Sequence, residues 1–359
     1  MARTWSLGAL ESVPNCPACG SGARTTQPWK IKDHLGTGAP DVWQLWRCAD
    51  CASIFLDPRP DAASIPATYR SYYTHVLPRS PKDAGALEQK LWLVFRGYLG
   101  KRFGWREGPA FPWGFALCAA IPPLKFKLDY LARHLFAVDF PQKGVLLDHG
   151  CGNGEFLASA TKMGWSIIGV DADLNAIAAC KAQGFESVFG SIAELPPELE
   201  GRVDVVTSSN CVEHLQDPHG FLLNAHRLLK PNGRLWIATP NPEGLGVRIF
   251  GRFWRGLEPS RHLCVPSQRQ LKCMLKSAGY DNIRLLPRGS HGKTIARESA
   301  AVSAIESRAG DRFSVWLAWM AWPLRIFTST FGALIPKLGE ETVVIARRKS
   351  DGITEEKAT

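Results

Sequence analysis

Four cysteines in this chain are spaced to hold a metal. Cys16 and Cys19 form one CxxC pair and Cys48 and Cys51 a second, with residues 20–47 between them. Two such knuckles supply four thiolates, which suits a closed tetrahedral zinc site with no open position for catalysis. VWQLWRC, leading into the second pair, reads as part of a two-stranded loop that fills the gap. The other six cysteines (Cys118, Cys151, Cys180, Cys211, Cys264 and Cys273) show no paired spacing. Unpaired thiols scattered through a large chain predict a reducing, cytoplasmic setting.

A second chemical signal is LLDHGCGNGEF, residues 146–156. An apolar run ends in Asp148, and Gly150, Gly152 and Gly154 follow at alternate positions. Without Cβ atoms, the backbone at Gly150 and Gly152 can approach a ligand closely. A phosphate loop needs GxxxxGK followed by Ser or Thr, which is absent here. A dinucleotide fingerprint needs a small residue where Glu155 stands. Asp148 and Glu155 would also repel a pyrophosphate. A ligand carrying an ammonium and a sulfonium suits the same carboxylates. Asp171 ends the next apolar run, SIIGVDA, where an acid accepts hydrogen bonds from ribose hydroxyls.

These residues need a scaffold, and the chain from Gly144 onward supplies one. GVLLDHG, SIIGVDA, SVFG, VDVVTSS and RLWIATP alternate with helical stretches such as EFLASATKMG and LNAIAACKAQG. That alternation implies a parallel sheet with helices on both faces, binding ligands at the carboxyl ends of its strands. Gly164, Gly184 and Gly233 sit where left-handed residues end helices. Ahead of this core, residues 12–57 form a zinc-ribbon-like segment, and residues 67–140 read as a helical, aromatic-rich substrate or cap region. The core spans residues 141–349 with a helical insert at about 287–338, and residues 350–359 form a flexible tail.

The sequence resembles the class I S-adenosylmethionine-dependent methyltransferases over about residues 140–285. LLDHGCGNGEF is similar to that family's first motif. VDVVTSSNCVEHLQDPHGFL and HRLLKPNGRLWIATPNPEG resemble its later ones, in the usual order. The resemblance implies an α/β, Rossmann-like sheet of seven strands in the order 3-2-1-4-5-7-6, with GEETVVIARRK as the antiparallel last strand. It places the cofactor against Asp148, Gly150, Cys151 and Gly152, with Asp171 and Ala172 at the ribose. Ser191 and Ile192 fall at the adenine, although many members carry an Asp where Ser191 stands. Asn210 and Cys211 face the methionine part.

Methyl transfer to a hydroxyl requires alignment and removal of a proton. Histidine is the usual base near neutral pH. His214 follows Glu213 past the fourth core strand, and His262 lies in EPSRHLCVPS after the fifth. Both are candidate catalytic residues. Asn241 and Glu243 also sit at the strand edge, and Arg261 is a candidate for an anionic substrate group. Cysteine knuckles ahead of such a core resemble methyltransferases of sugar and polysaccharide pathways. The expected acceptor is therefore a hydroxyl of a small or carrier-linked sugar or glycan intermediate. A quinone or other lipid O-methyltransferase is the alternative, and a zinc-containing RNA-binding or RNA-modifying protein is another.

Composition bounds these readings. The chain has 359 residues and a formal charge of +10, from 43 Lys and Arg against 33 Asp and Glu. No block of like charge stands out, so an evenly basic surface is expected rather than a nucleic-acid-binding one. No clean run of about 20 apolar residues predicts a membrane-spanning helix. FSVWLAWMAWPLRIFTSTFGALIP (313–336) is broken by Pro323 and Arg325. Its clustered tryptophans give it an interfacial, peripheral membrane contact as a second reading.

Overall fold

The computed structural model describes residues 3–5, 7–33, 42–69, 85–288, 292–306 and 335–350. The Trp-rich stretch at 313–334 therefore lies outside the described residues, and so does the expected membrane contact through it. Among the described residues no helix is long and apolar enough to cross a membrane.

The N-terminal part contains strands β1 (Arg3–Trp5), β2 (Gly8–Glu11), β3 (Trp29–Lys32), β4 (Val42–Arg47), β5 (Ile54–Leu56) and β6 (Arg59–Pro60). Helices α1 (Ala86–Phe103), α2 (Gly114–Ala120) and α3 (Pro122–Leu131) follow. The core then runs β7 (Val145–His149), α4 (Glu155–Lys162), β8 (Ser166–Asp171), α5 (Leu174–Ala182), β9 (Ser187–Phe189) and β10 (Val203–Ser209). It continues through α6 (Pro218–Leu228), β11 (Leu229–Pro240), α7 (Leu245–Phe250), β12 (Cys264–Val265), α8 (Gln268–Ser277), β13 (Tyr280–Leu286), α9 (Gly292–Glu306) and β14 (Glu341–Arg348).

Seven strands form the central sheet in the order β13-β14-β11-β10-β7-β8-β9. Strands β7 to β11 are parallel, and β14 runs antiparallel to both β11 and β13. Counted along the core, this is the expected order 3-2-1-4-5-7-6. Strand order reverses between β7 and β10, which is where a doubly wound sheet opens its ligand crevice.

Successive residues of a strand point to opposite faces, and β7 shows what that achieves. Leu146 packs with Val205 against Tyr98, Leu99, Phe103 and Leu128 of α1 and α3. Leu147 packs with Val206 against Phe221, Leu222 and Leu275 of α6 and α8. Burial on both faces explains why the strand reads as a continuous apolar run. It also shows what residues 86–131 do: α1 and α3 cover one face of the sheet.

The cysteine segment is joined to the core. Strands β3, β4 and β5 form a sheet whose fourth strand, β12, comes from the loop after β11. One side of this ribbon shares a hydrophobic cluster with the core through Cys16, Cys48, Cys51 and Phe55. The other packs Trp43, Leu45, Ile54 and Leu56 against Phe250, Trp254, Leu257 and Leu263.

Gly164 and Gly184 take the left-handed positions expected of them, at φ 89° and 80°. Gly233 does not. β11 starts directly after α6, Gly233 lies within it, and Asn232 is the left-handed residue, at φ 62°. An Asn tolerates that conformation through its short polar side chain.

Candidate active site and metal centre

At the end of β7, Gly150, Gly152 and Gly154 adopt φ of 73°, 53° and 83°. A Cβ on Gly150 would lie 2.7 Å from the Cys211 sulfur, so this glycine permits a close approach between two strand ends. A Cβ on Gly152 would meet nothing within 4 Å. The loop thus leaves open space beside Gly152. The Gly152 N–H donates to Asp171 Oδ2 at 2.8 Å, and the Asp173 N–H donates to Oδ1 at 2.9 Å. Burial raises the Asp171 carboxyl above its ordinary value, against the pull of those two N–H groups. Ala172 follows and is exposed. Loop and acid are thus tied together before any ligand arrives.

Asp148 differs from the expectation of a charge at the mouth of the turn. It shares the face of Leu146, is fully buried, and pairs with Arg133, which follows α3. Thr207 Oγ1 donates to the same carboxylate oxygen at 2.9 Å, and Arg133 lies 3.5 Å from the centre of the Phe156 ring. Burial raises the Asp148 carboxyl, while Arg133 and Thr207 draw it down. The charge is therefore compensated from within. Asp148 Oδ2, however, is buried without a protein partner. Such an oxygen can accept one more donor, and an ammonium supplies one. The orphaned oxygen and the space at Gly152 together fit S-adenosylmethionine.

Ser191 forms a capping box. Its hydroxyl accepts from Ala193 N–H at 3.2 Å, and Glu194 accepts from Ser191 N–H at 3.1 Å. Ile192 is buried in the cluster that holds Val170 and Leu195. Asn210 is left-handed at φ 49°, with its N–H on Ala238 O at 2.8 Å. Cys211 packs on the glycine loop, and its sulfur lies 3.5 Å from His149 Nδ1.

His214 and His262, separate in sequence, meet at the next level out. Their rings contact edge to face at a centroid distance of 4.7 Å. His214 Nδ1 lies 3.0 Å from Arg261 O, and His262 Nδ1 lies 2.8 Å from Gly256 O. A carbonyl only accepts, so each Nδ1 donates to it, and His214 also meets the Asn210 backbone. Burial holds both imidazoles below the ordinary range, His262 down to about 3. Glu213 is fully buried, accepts from Thr239 Oγ1 at 2.9 Å through Oε2, and is pushed up to about 8 by burial. Its Oε1 has no hydrogen-bond partner.

Arg261 is not available to an anionic substrate. It is 1% exposed and is held by Asp33 at 3.2 Å and Glu258 at 2.7 Å. Asn241 and Glu243 brace the chain instead. Asn241 donates to Gly339 O at 2.8 Å, and Glu243 accepts from Gln268 N–H at 2.9 Å. Sequence reasoning missed Arg133 and Asp33, which belong to no motif and act through partners remote in the chain.

The four cysteines do converge. Cys16 and Cys51 sulfurs are 3.7 Å apart, and Cys19 and Cys48 sulfurs 3.5 Å. Thiolates about 2.3 Å from a tetrahedral zinc ion stand about 3.8 Å from one another. Gly20 and Ala52 are left-handed at φ 75° and 63°, and each returns its N–H to the first cysteine of its knuckle. The donor set and its spacing fit zinc.

A methyltransferase-domain family matches residues 125–285. Ubiquinone biosynthesis O-methyltransferases are among the relatives of the chain. That of Maricaulis maris is 30% identical over 172 residues, covering 44% of this chain and 67% of that one. That of Xanthomonas oryzae pv. oryzae is 29% identical over 161 residues, 43% and 63%. That of Cereibacter sphaeroides is 31% identical over 143 residues, 36% and 58%. The chain thus spans less than two thirds of the length of the latter two. Among solved structures, a SAM-dependent methyltransferase from Archaeoglobus fulgidus aligns with a TM-score of 0.42 and 21% identity, over 64% of this chain and 96% of that one. With the strand order, the glycine loop and the paired acids in place, the chain belongs to the class I S-adenosylmethionine-dependent methyltransferases.

Proposed function

We propose that this chain moves a methyl group from S-adenosylmethionine to a hydroxyl of an aromatic, lipid-borne acceptor of the quinone-precursor kind. The observation that carries the reading is the convergence of Glu213, His214 and His262 beside Cys211, at the open end of the sheet. Forming the new O–C bond and breaking the S–C bond requires that the hydroxyl shed its proton. These three side chains offer the acceptor oxygen a place to bind and the means to lose it.

The residues toward the cofactor are Gly150, Cys151 and Gly152 at the turn, Asp148 through its free oxygen, Asp171 and Ala172 at the ribose, Ser191 and Ile192 toward the adenine, and Asn210 at the methionine end. S-adenosylmethionine supplies an activated methyl carbon, so the protein need only align and deprotonate its partner. The names of the relatives support the aromatic acceptor. A sugar acceptor is supported only by the layout of ribbon and core. The four-cysteine centre is proposed to hold a structural zinc ion, since four thiolates leave no open position.

Methyl-labelled S-adenosylmethionine, offered with catechol-type phenols and with nucleotide sugars, tests the proposal. Label passing to the phenol is the expected result. Label passing to the sugar alone, or to neither, overturns the acceptor assignment.

A further inference from the structure

We infer that a cavity lined by Arg234, Arg284 and Arg347 binds a phosphate dianion, at the end of the sheet remote from the methyl-donor crevice. The cavity has a volume of about 280 Å³, and Asn282 and Ile345 complete its wall. Arg234 stands opposite Val205 near the start of β10, whereas the crevice opens past Ser209 at its end. The steps from Val205 to Ser209 separate the two by about 13 Å along the strand. The inference does not depend on which acceptor is methylated.

Strand pairing brings the three guanidinium groups together. Arg234 of β11 pairs directly with Arg347 of β14. Arg284 of β13 pairs with Ile345, which shares a face with Arg347. Like charges directly opposite each other destabilise a strand pair, so an anion between them relieves the sheet. Protein acids supply only part of that relief. Arg234 Nη2 bonds Asp139 Oδ2 at 2.7 Å, and its Nη1 donates to His134 O at 3.3 Å. Its side chain is 2% exposed, and its Nε–H is buried with no acceptor. Arg347 donates from Nη1 to Asn232 O at 3.0 Å and makes no ion pair among the described residues. Arg284 makes neither a hydrogen bond nor an ion pair among them. Asp281 pairs with Arg347 across the strands, but its carboxylate accepts from Asn282 Nδ2 at 3.1 Å. Burial lowers the Arg234 guanidinium from its ordinary value, and Arg347 and Arg284 lower it further against the pull of Asp139.

From Arg234, buried, the cations run through Arg347, half-buried, to Arg284, exposed. Each guanidinium presents a planar fork of N–H donors that matches phosphate oxygens, and charge-assisted bonds of this kind are the strong ones. Three guanidinium charges less that of Asp139 leave two, close to the charge of a phosphate monoester at neutral pH. The volume lies below the range of pockets for drug-sized ligands, so a phosphate group with a small attachment fills it. A soluble phosphate monoester and the phosphate of a lipid headgroup share this chemistry.

Inorganic phosphate is the probe. The full-length protein, in chloride buffer at fixed ionic strength, is titrated with sodium phosphate by calorimetry. Wild type should bind one equivalent with a Kd below about 1 mM, and Arg284→Gln and Arg347→Gln at least about ten-fold more weakly. Lys181→Gln removes a charge from α5, between β8 and β9 at the opposite edge of the sheet, and should bind as wild type does. Arg284 has no bond to lose, so without phosphate the melting temperature of Arg284→Gln should match wild type, and phosphate should raise that of wild type more. Phosphatidylcholine vesicles with and without phosphatidic acid separate the two sources. Retention on the anionic vesicles that Arg284→Gln abolishes assigns a lipid headgroup, and phosphate binding without retention assigns a soluble monoester; either upholds the site. Neither phosphate binding nor retention by wild type, or equal binding by wild type and both arginine variants, overturns it.

Discussion

The two halves of the crevice are built differently. The half proposed for the cofactor is centred on residues close in sequence: β7, its three glycines, and the acid that ends the next strand. The acceptor half is assembled from remote pieces. His214 hangs from the end of β10, His262 comes from the loop before β12, and Arg261 in that loop is clamped by Asp33 of the ribbon. β12 itself is a strand of the ribbon sheet. Ser267, just beyond it, donates its hydroxyl to Cys51 O at 2.6 Å and its backbone N–H to Ser53 Oγ at 3.0 Å. The half proposed for the cofactor is therefore braced mainly by its own loop and the sheet core, whereas the half proposed for the acceptor depends on the cysteine segment for its shape.

Removing the ribbon's metal should separate the halves most sharply. Chelation at neutral pH, or Cys16→Ser with Cys48→Ser, should lower stability by on the order of 5 kcal/mol. Turnover should fall at least about 100-fold, while S-adenosylmethionine affinity stays within about ten-fold of wild type. Equal losses of both would show that the halves are not independent.

Gly152→Ala should do the reverse. Its φ of 53° strains any other residue, by about 1–2 kcal/mol. The added Cβ also enters the ligand's space. We expect S-adenosylmethionine to bind about 100-fold more weakly by calorimetry, with a melting temperature within a few degrees of wild type.

A smaller effect is expected at Arg261→Lys. Lysine keeps the charge but cannot bond Asp33 and Glu258 in the same geometry. Turnover should fall about ten-fold with cofactor affinity unchanged, because the carbonyl that orients His214 shifts. A change in cofactor affinity alone would contradict the division.

The smallest effect concerns Glu340, whose carboxyl receives the Trp254 indole N–H at 2.8 Å. Burial pushes it up to about 7 from 4.5, with Glu341 adding to the rise. Because the folded value is raised, this group's stabilisation is complete below about pH 4.5 and is lost as pH rises through about 7. Glu340→Gln should therefore melt higher than wild type at pH 8, by about 1–3 kcal/mol of stability, and lose that advantage at pH 4.5. A constant difference across that range would contradict the assignment.

The same division explains what could be read in the sequence. The strand–helix alternation, the glycine loop, Asp171 and the four cysteines were all legible, because each is carried by local spacing or regular alternation, whereas the strand order came from the family resemblance. The two histidines were visible as residues, but their meeting was not, since nothing local relates β10 to the loop before β12. The two-residue β12 carries no periodic signal, so the joining of ribbon to core was hidden. Arg133 was invisible for a similar reason: it compensates Asp148 from the end of α3, where no motif marks it. Arg261 was read as a candidate for an anionic substrate group because its acid Asp33 lies far away in the sequence.

Calorimetry of the purified protein with S-adenosylmethionine, its demethylated product, NAD and ATP tests the central claim most directly. The account predicts saturable binding of the first two and none of the others. Uptake of NAD or ATP with no response to either sulfur nucleoside would contradict it.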